Sequence, residues 1–289
     1  MLKFNIYLFT LVLISCSAGS QNDTNTEVTE NGPEIQDTVI VEEKMYCNDD
    51  VKVGAEQTVA YFSKLEGKRI AVVGNQSSML GETHLVDTLL GAGLDVIRVF
   101  SPEHGFRGTA DAGEKVNNEV DEKTGLPIIS LYGKNRKPTV SQLEGIDIVV
   151  FDIQDVGVRF YTYISTLHYV MEAAAGQGLE LLILDRPNPN GHYVDGPILN
   201  SDFSSFVGMH EVPVVHGMTM GEYAQMINGE KWLPGGIECS LEVVSAEGWD
   251  HTKFYELPIA PSPNLPNMAS VYLYPSLCFF EGTIVSIGR

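Results

Sequence analysis

The sequence has few basic residues for its size. Its 289 residues include 18 Lys and Arg against 38 Asp and Glu, a formal net charge of −20. Such an acidic surface repels nucleic acid, so DNA and RNA are set aside as partners. Long apolar runs are lacking too: beyond the N-terminus, no window is apolar for long enough to span a bilayer.

Several motifs that carry known chemistry are missing. The chain has no GxxxxGK[ST] phosphate loop and no GxSxG nucleophile elbow. Residues 91–96, GAGLDV, lack the third glycine of GxGxxG and follow a helix, the wrong context for a dinucleotide. His210 and His216 in HEVPVVH have the wrong spacing for HExxH, and Pro213 disfavours the helix that would align them. These residues are therefore expected in a loop or strand.

Cysteine is scarce, with four residues and no CxxC pair, so a structural zinc site has no support. One of the four, Cys16, belongs to the N-terminal segment. The other three are Cys47, Cys239 and Cys278. An exported chain meets oxidising conditions that permit a disulfide, but an odd number leaves at least one cysteine unpaired or paired outside this chain.

The N-terminus has the features of an exported lipoprotein. MLKFNIYLFTLVLISC carries Lys3, a short apolar stretch and then Leu-Ile-Ser before Cys16. This junction resembles the bacterial lipobox, whose cysteine becomes the lipidated first residue of the mature protein. The alternative is an ordinary signal peptide, but the place of Cys16 at the end of the apolar run favours the lipobox. We expect a lipid-anchored protein of the cell envelope, facing the periplasm or the cell surface.

Domain organisation follows from a change in composition. Residues 1–16 are predicted to be the signal peptide. Residues 17–50 are polar and acidic, and they cannot bury enough apolar surface to offset their ordering entropy, so they are predicted to be a disordered tether. Residues 51–210 are predicted to form a Rossmann-like domain, and residues 211–289 an incomplete second domain.

Alternating elements define the expected fold. Runs rich in Val, Ile and Leu predict strands at 68–76, 94–100, 126–133, 146–154 and 179–185. Helical spacing separates them, most clearly at 83–93 and 161–178. This alternation indicates a parallel sheet covered on both faces. We predict an α/β protein with a Rossmann-like, doubly wound and mainly parallel sheet, followed by the start of a smaller second α+β domain.

Polar loops follow four of the predicted strands: SPEHGFRG (101–108), YGKNRKP (132–138), QDVGVRFYTY (154–163) and DRPNPNG (185–191). Parallel strands bring such loops to one edge of the sheet, where ligands bind in open α/β folds. We therefore expect one shared cleft. The polar residues expected to share it are Glu103, His104, Arg107, Gln154, Asp155, Arg159, Asp185 and Asn188.

The same loops carry a resemblance to a known family. SPEHGFRG, FDIQDVGVRFYTYIST, DRPNPNG, PSPNLPN and FFEGTIVSIGR occur in the order of one bacterial family, first known as a domain of unknown function. That family is typified by the exo-β-N-acetylmuramidase of peptidoglycan recycling. The resemblance runs from about Lys68 to the last residue. It implies two domains with a cleft between them, and release of N-acetylmuramic acid from the non-reducing end of peptidoglycan fragments.

Members of this family continue beyond the point matched by the last residue, through roughly another hundred residues of second domain. The sequence is therefore expected to be a C-terminally truncated fragment. No cofactor or metal is expected. The expected partner is a peptidoglycan-derived glycan, with the membrane contacted through the lipid anchor only.

Glycoside hydrolysis usually needs a carboxylic acid that protonates the leaving oxygen. Glu103, at a strand end in a family motif, is the candidate acid, and the alternative is a solvated loop carboxylate paired with Arg107. His104 either orients Glu103 or a substrate hydroxyl, or is a loop histidine. Asp155 is the first candidate for the second catalytic group, unless it only forms an ion pair with Arg159.

Other candidates for the second group are Glu114, Glu281 and the substrate's own acetamido group. N-acetylmuramic acid carries a lactyl carboxylate, which a guanidinium would bind with paired hydrogen bonds. Arg159 is the first choice for this contact, with Arg107 and Arg136 as alternatives. The further predicted substrate-binding residues are Glu114, Gln154, Tyr161, Asn188, Asn190, Asn264 and Glu281.

Each of these substrate contacts has a structural alternative. Tyr161 and Tyr163 either form a face for sugar stacking or pack the start of a helix, and the asparagines either bond sugar hydroxyls or close turns. Two other functions stay open. One is a non-catalytic, saccharide-binding surface lipoprotein, and the weaker one is a metal-dependent hydrolase that uses His104, Asp152 and Asp185.

Overall fold

The computed structural model describes residues 46–107 and 119–284. Nine strands lie in these ranges: β1 (Arg69–Gly74), β2 (Met79–Leu80), β3 (Thr83–His84), β4 (Asp95–Ser101), β5 (Glu119–Val120), β6 (Pro127–Ser130), β7 (Ile148–Asp152), β8 (Glu180–Leu184) and β9 (Ser240–Val244). The α-helices there are α1 (Thr58–Leu65), α2 (Leu85–Gly91), α3 (Val140–Leu143), α4 (Tyr163–Gln177), α5 (Met220–Gly229) and α6 (Met268–Leu277).

Seven strands form one sheet in the order β5-β6-β4-β1-β7-β8-β9. All neighbours in it are parallel except β5 and β6, and β2 pairs with β3 in a separate antiparallel ribbon. Taken along the chain, the six parallel strands follow the Rossmann order 3-2-1-4-5-6. The prediction of a doubly wound, mainly parallel α/β sheet is confirmed. In this order the crevice for a ligand lies beyond the carboxyl ends of the strands, where the order reverses beside β1.

Successive side chains of a strand point to opposite faces of the sheet. Because the central strands are continuous apolar runs, both faces of the sheet are apolar. In β1, Ile70 and Val72 join one buried cluster with α1 and α2. Ala71 and Val73 join the other with α4 and α5. Helices on both sides explain why the parallel strands read as continuous apolar runs rather than as alternating ones.

Strand β9 comes from the range predicted for a second domain, yet it pairs with β8 through five residue pairs and extends the main sheet. Helix α6 contributes Val271 and Tyr274 to a third buried cluster, which also holds Val156 and Val158 from the segment after β7. The predicted boundary at residue 210 stays a prediction. No helix in the described ranges is long and apolar enough to cross a membrane.

The end of the predicted tether has a defined structure, which differs from the expectation for residues 17–50. Residues Asn48–Asp50 form a short 3-10 helix, and the Cys47 amide donates a 3.0 Å hydrogen bond to the Phe254 carbonyl. The composition of these residues is that of a polar linker. Hydrogen bonds to a distant segment nevertheless hold them in a defined structure. Cys47, Cys239 and Cys278 are all free thiols.

Candidate active site

A cavity of about 350 Å³ lies beyond the carboxyl ends of β4, β6 and β7. This is the position that the strand order predicts for a ligand site. The loops after these three strands supply Glu103, His104, Tyr132, Arg136, Phe160, Tyr161, Thr162 and Tyr163. More distant segments supply Phe206, Val207, Ser262, Asn264, Leu265, Tyr274 and Glu281.

The loop after β4 is strongly bent where it presents Glu103. His104 and Gly105 both have left-handed backbones, with φ of 71° and 77°. A histidine in this region costs of order 1 kcal/mol or more, a strain that tends to occur at functional sites. Phe106 anchors the loop in the core. Its ring is fully buried and meets the His84 ring edge-on, with 4.6 Å between the ring centroids.

Each of the two carboxylates in the described lining of the cavity interacts electrostatically with a tyrosine hydroxyl. Burial raises the pKa of the Tyr132 hydroxyl, and the neighbouring Glu103 carboxylate raises it further. Burial raises the pKa of the Tyr274 hydroxyl, and the charge of Glu281 raises it further. Both hydroxyls therefore stay neutral close to these carboxylates.

Tyr161, Tyr163 and Tyr274 form a tyrosine wall on one side of the cavity. Tyr161 meets Tyr163 edge-on at 4.8 Å and Tyr274 at 5.9 Å between ring centroids. The Tyr161 hydroxyl donates to the Pro261 carbonyl at 2.9 Å, and Asn75 Nδ2 donates to the Tyr163 hydroxyl at 3.0 Å. These rings thus combine both roles considered from the sequence, because they pack the start of α4 and also face the cavity.

Asp155 is buried and is absent from the described lining of the cavity. Its Oδ2 accepts from the Gly157 amide at 2.7 Å and lies 3.8 Å from His216 Nε2, while Oδ1 has no partner. Burial raises the pKa of this carboxyl to about 7, against the lowering effect of the backbone hydrogen bonds. Its charge acts on Tyr161, Tyr163 and Tyr274, so it lies within electrostatic reach of the tyrosine wall.

The arginines are placed differently from the first choice made on sequence. Arg159 does not pair with Asp155; it donates through Nη1 to the Pro197 carbonyl at 3.0 Å and to the Val212 carbonyl. Arg107 makes a two-point contact with Asp121, at 3.1 and 2.8 Å. Neither lies among the described cavity residues, whereas Arg136 does. The position of Arg159 in a polar loop does not reveal that its guanidinium is hydrogen-bonded to backbone carbonyls from a distant segment.

Three predicted substrate-binding residues after β7 and β8 hydrogen-bond to nearby loop backbone. Gln154 Nε2 donates to the carbonyls of Asp155 and Pro187, each at 2.8 Å. Asn188 donates to the Met218 carbonyl and accepts from the Asn190 amide, and Asn190 donates to the Val156 carbonyl. These contacts fit the structural alternative for the two asparagines, although Asn190 Oδ1 has no partner among the described residues, and substrate binding by the three side chains stays a prediction. Asn264 does line the cavity, and Glu114 lies outside the described residues.

The proposed metal trio does not converge. Asp152 forms a buried ion pair with Arg186, with Nε to Oδ1 at 2.5 Å. Asp185 accepts from the Thr219 hydroxyl at 2.6 Å and from the Gly221 amide at 2.9 Å, at the start of α5. Among the residues described, no group of three or more His, Cys, Asp or Glu is arranged to hold a metal ion.

His210 and His216 are buried and have low pKa values, about 3 in each case, mainly because burial disfavours the charged form. His210 bonds to His168 at 2.9 Å and to the Tyr223 hydroxyl at 3.0 Å. Both are loop residues, and they serve as neutral parts of the core near the segment that carries Asp155.

Sequence reasoning missed several cavity residues. Tyr132 lies two residues after the end of β6, so the strand-end rule could have found it. Phe206 and Tyr274 come from segments far along the chain, and only the folded structure brings them to this edge. They supply apolar and aromatic surface, which local sequence cannot distinguish from ordinary core.

The sheet has the Rossmann strand order, and its strand-end cavity is lined by two carboxylates, the tyrosine wall and one arginine. These features define an α/β protein with a polar ligand site. Residues 70–269 match the family described as exo-β-N-acetylmuramidase NamZ, N-terminal. The chain belongs to this family, which confirms the resemblance seen in the loop motifs.

Similar proteins agree with this assignment. A peptidoglycan β-N-acetylmuramidase NamZ of Bacillus subtilis (strain 168) is 43% identical over 243 residues, and the match covers 79% of this chain and 56% of that protein. The chain thus spans little more than half the length of this curated relative.

Two DUF1343-family proteins of Bacteroides fragilis NCTC 9343 have similar crystal structures. One is 52% identical with a TM-score of 0.76, over 83% of this chain and 64% of its own. The other is 37% identical with a TM-score of 0.73, over 80% and 60%.

Proposed function

We propose that the protein is a glycosidase that releases N-acetylmuramic acid from the non-reducing end of peptidoglycan fragments. The observation that carries this proposal is the placement of Glu103 in a strand-end cavity that a second carboxylate, Glu281, also lines. Paired carboxylates are the usual equipment for glycoside hydrolysis. The naming of the Bacillus subtilis relative as a peptidoglycan β-N-acetylmuramidase supports the substrate class.

In this proposal Glu103 donates a proton to the glycosidic oxygen. Its loop is fixed by the buried Phe106 and by the strained His104 backbone, so the carboxyl keeps its place at the cavity. The Tyr132 hydroxyl, which burial keeps neutral, interacts with this carboxyl group. Fixed orientation matters because proton transfer requires a short, aligned path to the leaving oxygen.

For the second catalytic group, placement favours Glu281 over Asp155. Glu281 lines the cavity with Glu103, whereas Asp155 is buried among backbone amides and His216. The acetamido group of the substrate remains an alternative to either carboxylate. Asp155 then acts on the site only through its field on the tyrosine wall.

The test is incubation of the full-length natural protein with two sets of peptidoglycan fragments. One set carries N-acetylmuramic acid at the non-reducing end and the other carries N-acetylglucosamine there. The proposal expects free N-acetylmuramic acid from the first set and no sugar from the second. Binding of the first set without any release would instead support a non-catalytic saccharide-binding protein.

We also propose that the protein is anchored by lipid on Cys16 and works in the cell envelope. Cys16 and the residues before it lie outside the described ranges, so the support is the Leu-Ile-Ser-Cys junction in the sequence. A peptidoglycan substrate is found in the same compartment, which makes the two proposals consistent.

A further inference from the structure

The cavity has an uneven set of charges. Among its described lining residues, Arg136 is the one Arg or Lys, facing a site that also holds Glu103 and Glu281. A neutral sugar needs no cation for binding. A ligand with its own carboxylate does, because two fixed carboxylates would otherwise repel it.

The Arg136 guanidinium is held from two directions. It lies over the Phe206 ring, with Cζ 4.2 Å from the ring centroid, and Nε donates to the Gly133 carbonyl at 3.1 Å. The cation–π contact fixes the plane of the guanidinium and leaves its edge available for hydrogen bonds.

Phe206 is itself supported by helix α4. Its other neighbour is the Tyr169 ring, stacked at 6.2 Å between centroids with an interplanar angle of 10°. Ser165 Oγ donates to the Phe206 carbonyl at 2.7 Å. A loop residue is thus fixed to a long helix on one side and presents a flat surface to Arg136 on the other.

The terminal nitrogens of Arg136 form no ion pair within the described part of the chain. Arg107 and Arg159, in contrast, are occupied by Asp121 and by backbone carbonyls. A guanidinium that is oriented but not neutralised suits a two-point contact with a carboxylate.

We propose that Arg136 binds the lactyl carboxylate of N-acetylmuramic acid and so separates this sugar from N-acetylglucosamine. The inference rests on the proposed function, because it names the residue that recognises the substrate of that site. N-acetylglucosamine has a hydroxyl group in place of the lactyl ether, so it cannot form the charged two-point contact with Arg136. Phe206 is the positioning residue, since it acts on the substrate through the guanidinium.

The test compares kcat/KM for aryl β-N-acetylmuramide and aryl β-N-acetylglucosaminide in the full-length natural protein. Loss of one charge-assisted contact should lower the preference for the muramide by about 10- to 100-fold in Arg136→Gln. Arg136→Lys keeps the charge but not the planar fork, so it should recover part of the preference. Arg69→Gln is the matched control, because Arg69 is exposed at the start of β1 and pairs with Asp147.

Phe206 provides a second, independent check. Phe206→Leu removes the aromatic face under the guanidinium and should lower the same ratio by a smaller factor, about 3- to 10-fold. Phe206→Tyr keeps the face and should retain the wild-type ratio. Equal losses on both substrates in Arg136→Gln and Phe206→Leu would overturn the inference, because a general structural role predicts no change in the ratio.

A binding measurement separates this inference from the proposed function. Calorimetry with free N-acetylmuramic acid and free N-acetylglucosamine needs no turnover. If the wild-type protein hydrolyses neither substrate yet prefers the lactyl sugar through Arg136, the function is wrong and the inference stands. If it hydrolyses the muramide and Arg136→Gln binds both sugars with the wild-type preference, the function stands and the inference is wrong.

Discussion

Asp155 has an environment that makes its charge costly at neutral pH. It is fully enclosed, its Oδ1 has no partner, and the nearest basic group, His216, has a pKa lowered to about 3 and is neutral. Burial raises the carboxyl pKa to about 7, above the value of about 3.9 for an unfolded aspartate. The folded chain therefore binds a proton at this position that the unfolded chain has already released.

The free energy of unfolding should therefore depend on pH through the protonation of Asp155. Because the folded state binds it more tightly, the contribution of Asp155 to the free energy of unfolding falls as pH rises from about 4 to about 7. Asp155→Asn cannot ionise, so the variant should gain stability relative to wild type between pH 5 and pH 8 in urea unfolding. Asp147→Asn is the control, since Asp147 is exposed with a pKa of about 2 and does not titrate in this window. A pH-independent difference between Asp155→Asn and wild type would contradict the assigned protonation.

At the scale of elements, one residue, Thr219, both caps helix α5 and bonds to the residue that follows strand β8. Thr219 accepts from the Glu222 amide in a capping box, and its hydroxyl also donates to Asp185 directly after β8. Helix α3 has a capping box of the same kind at Thr139, but on the exposed surface. The two threonines thus share a capping role, but only Thr219 also bonds to a buried carboxylate.

The pair allows a matched test. Thr139→Ala should cost about 1 kcal/mol of unfolding free energy, the usual value of a lost cap. Thr219→Ala loses the cap and also leaves Oδ2 of the buried Asp185 without its Thr219 donor, so it should cost about 2–4 kcal/mol. Both values come from denaturant unfolding of the same full-length protein. Equal costs would mean that the contact between Thr219 and Asp185 adds nothing to the cap.

Much of this architecture could be predicted from sequence because apolar periodicity carries it. The continuous apolar runs of β1, β7 and β8 predicted a parallel sheet, and the strand-end rule placed Glu103 and His104 at the cavity. Strand β9, SLEVV, was missed because its residues are partly exposed and interrupted by Glu242.

The site was predicted less completely because local sequence does not determine which way a loop side chain points. Arg159 stands between Val158 and the cavity residue Phe160, yet its guanidinium bonds to backbone carbonyls of a segment more than 35 residues away. Phe206 and Tyr274 reach the cavity only through long-range packing. Their roles depend on contacts that form in the folded chain.

At the scale of the whole molecule, the proposed anchor can be tested without knowledge of the activity. Cys16→Ala removes the acceptor for lipid, and the protein should then move from the membrane fraction to the soluble fraction after cell lysis. Firm anchoring requires more than one acyl chain, so partial loss of lipid should also weaken membrane binding. Cys47→Ala, which changes a free thiol in the folded part, is the control. An unchanged membrane fraction for Cys16→Ala would exclude lipid at this cysteine as the anchor.

The central claim is that Glu103 gives its proton to the glycosidic oxygen, and one comparison tests it most directly. Turnover by Glu103→Gln is measured on a natural muramyl glycoside and on an activated aryl muramide, with Glu119→Gln on the exposed edge strand as the control. General acid catalysis contributes about 10²–10⁴-fold, so turnover of the natural glycoside should fall by that factor. The fall should be far smaller on the aryl substrate, whose leaving group needs little protonation, and binding of N-acetylmuramic acid should be unchanged. Equal losses on the two substrates, or no loss on the natural one, would contradict the account.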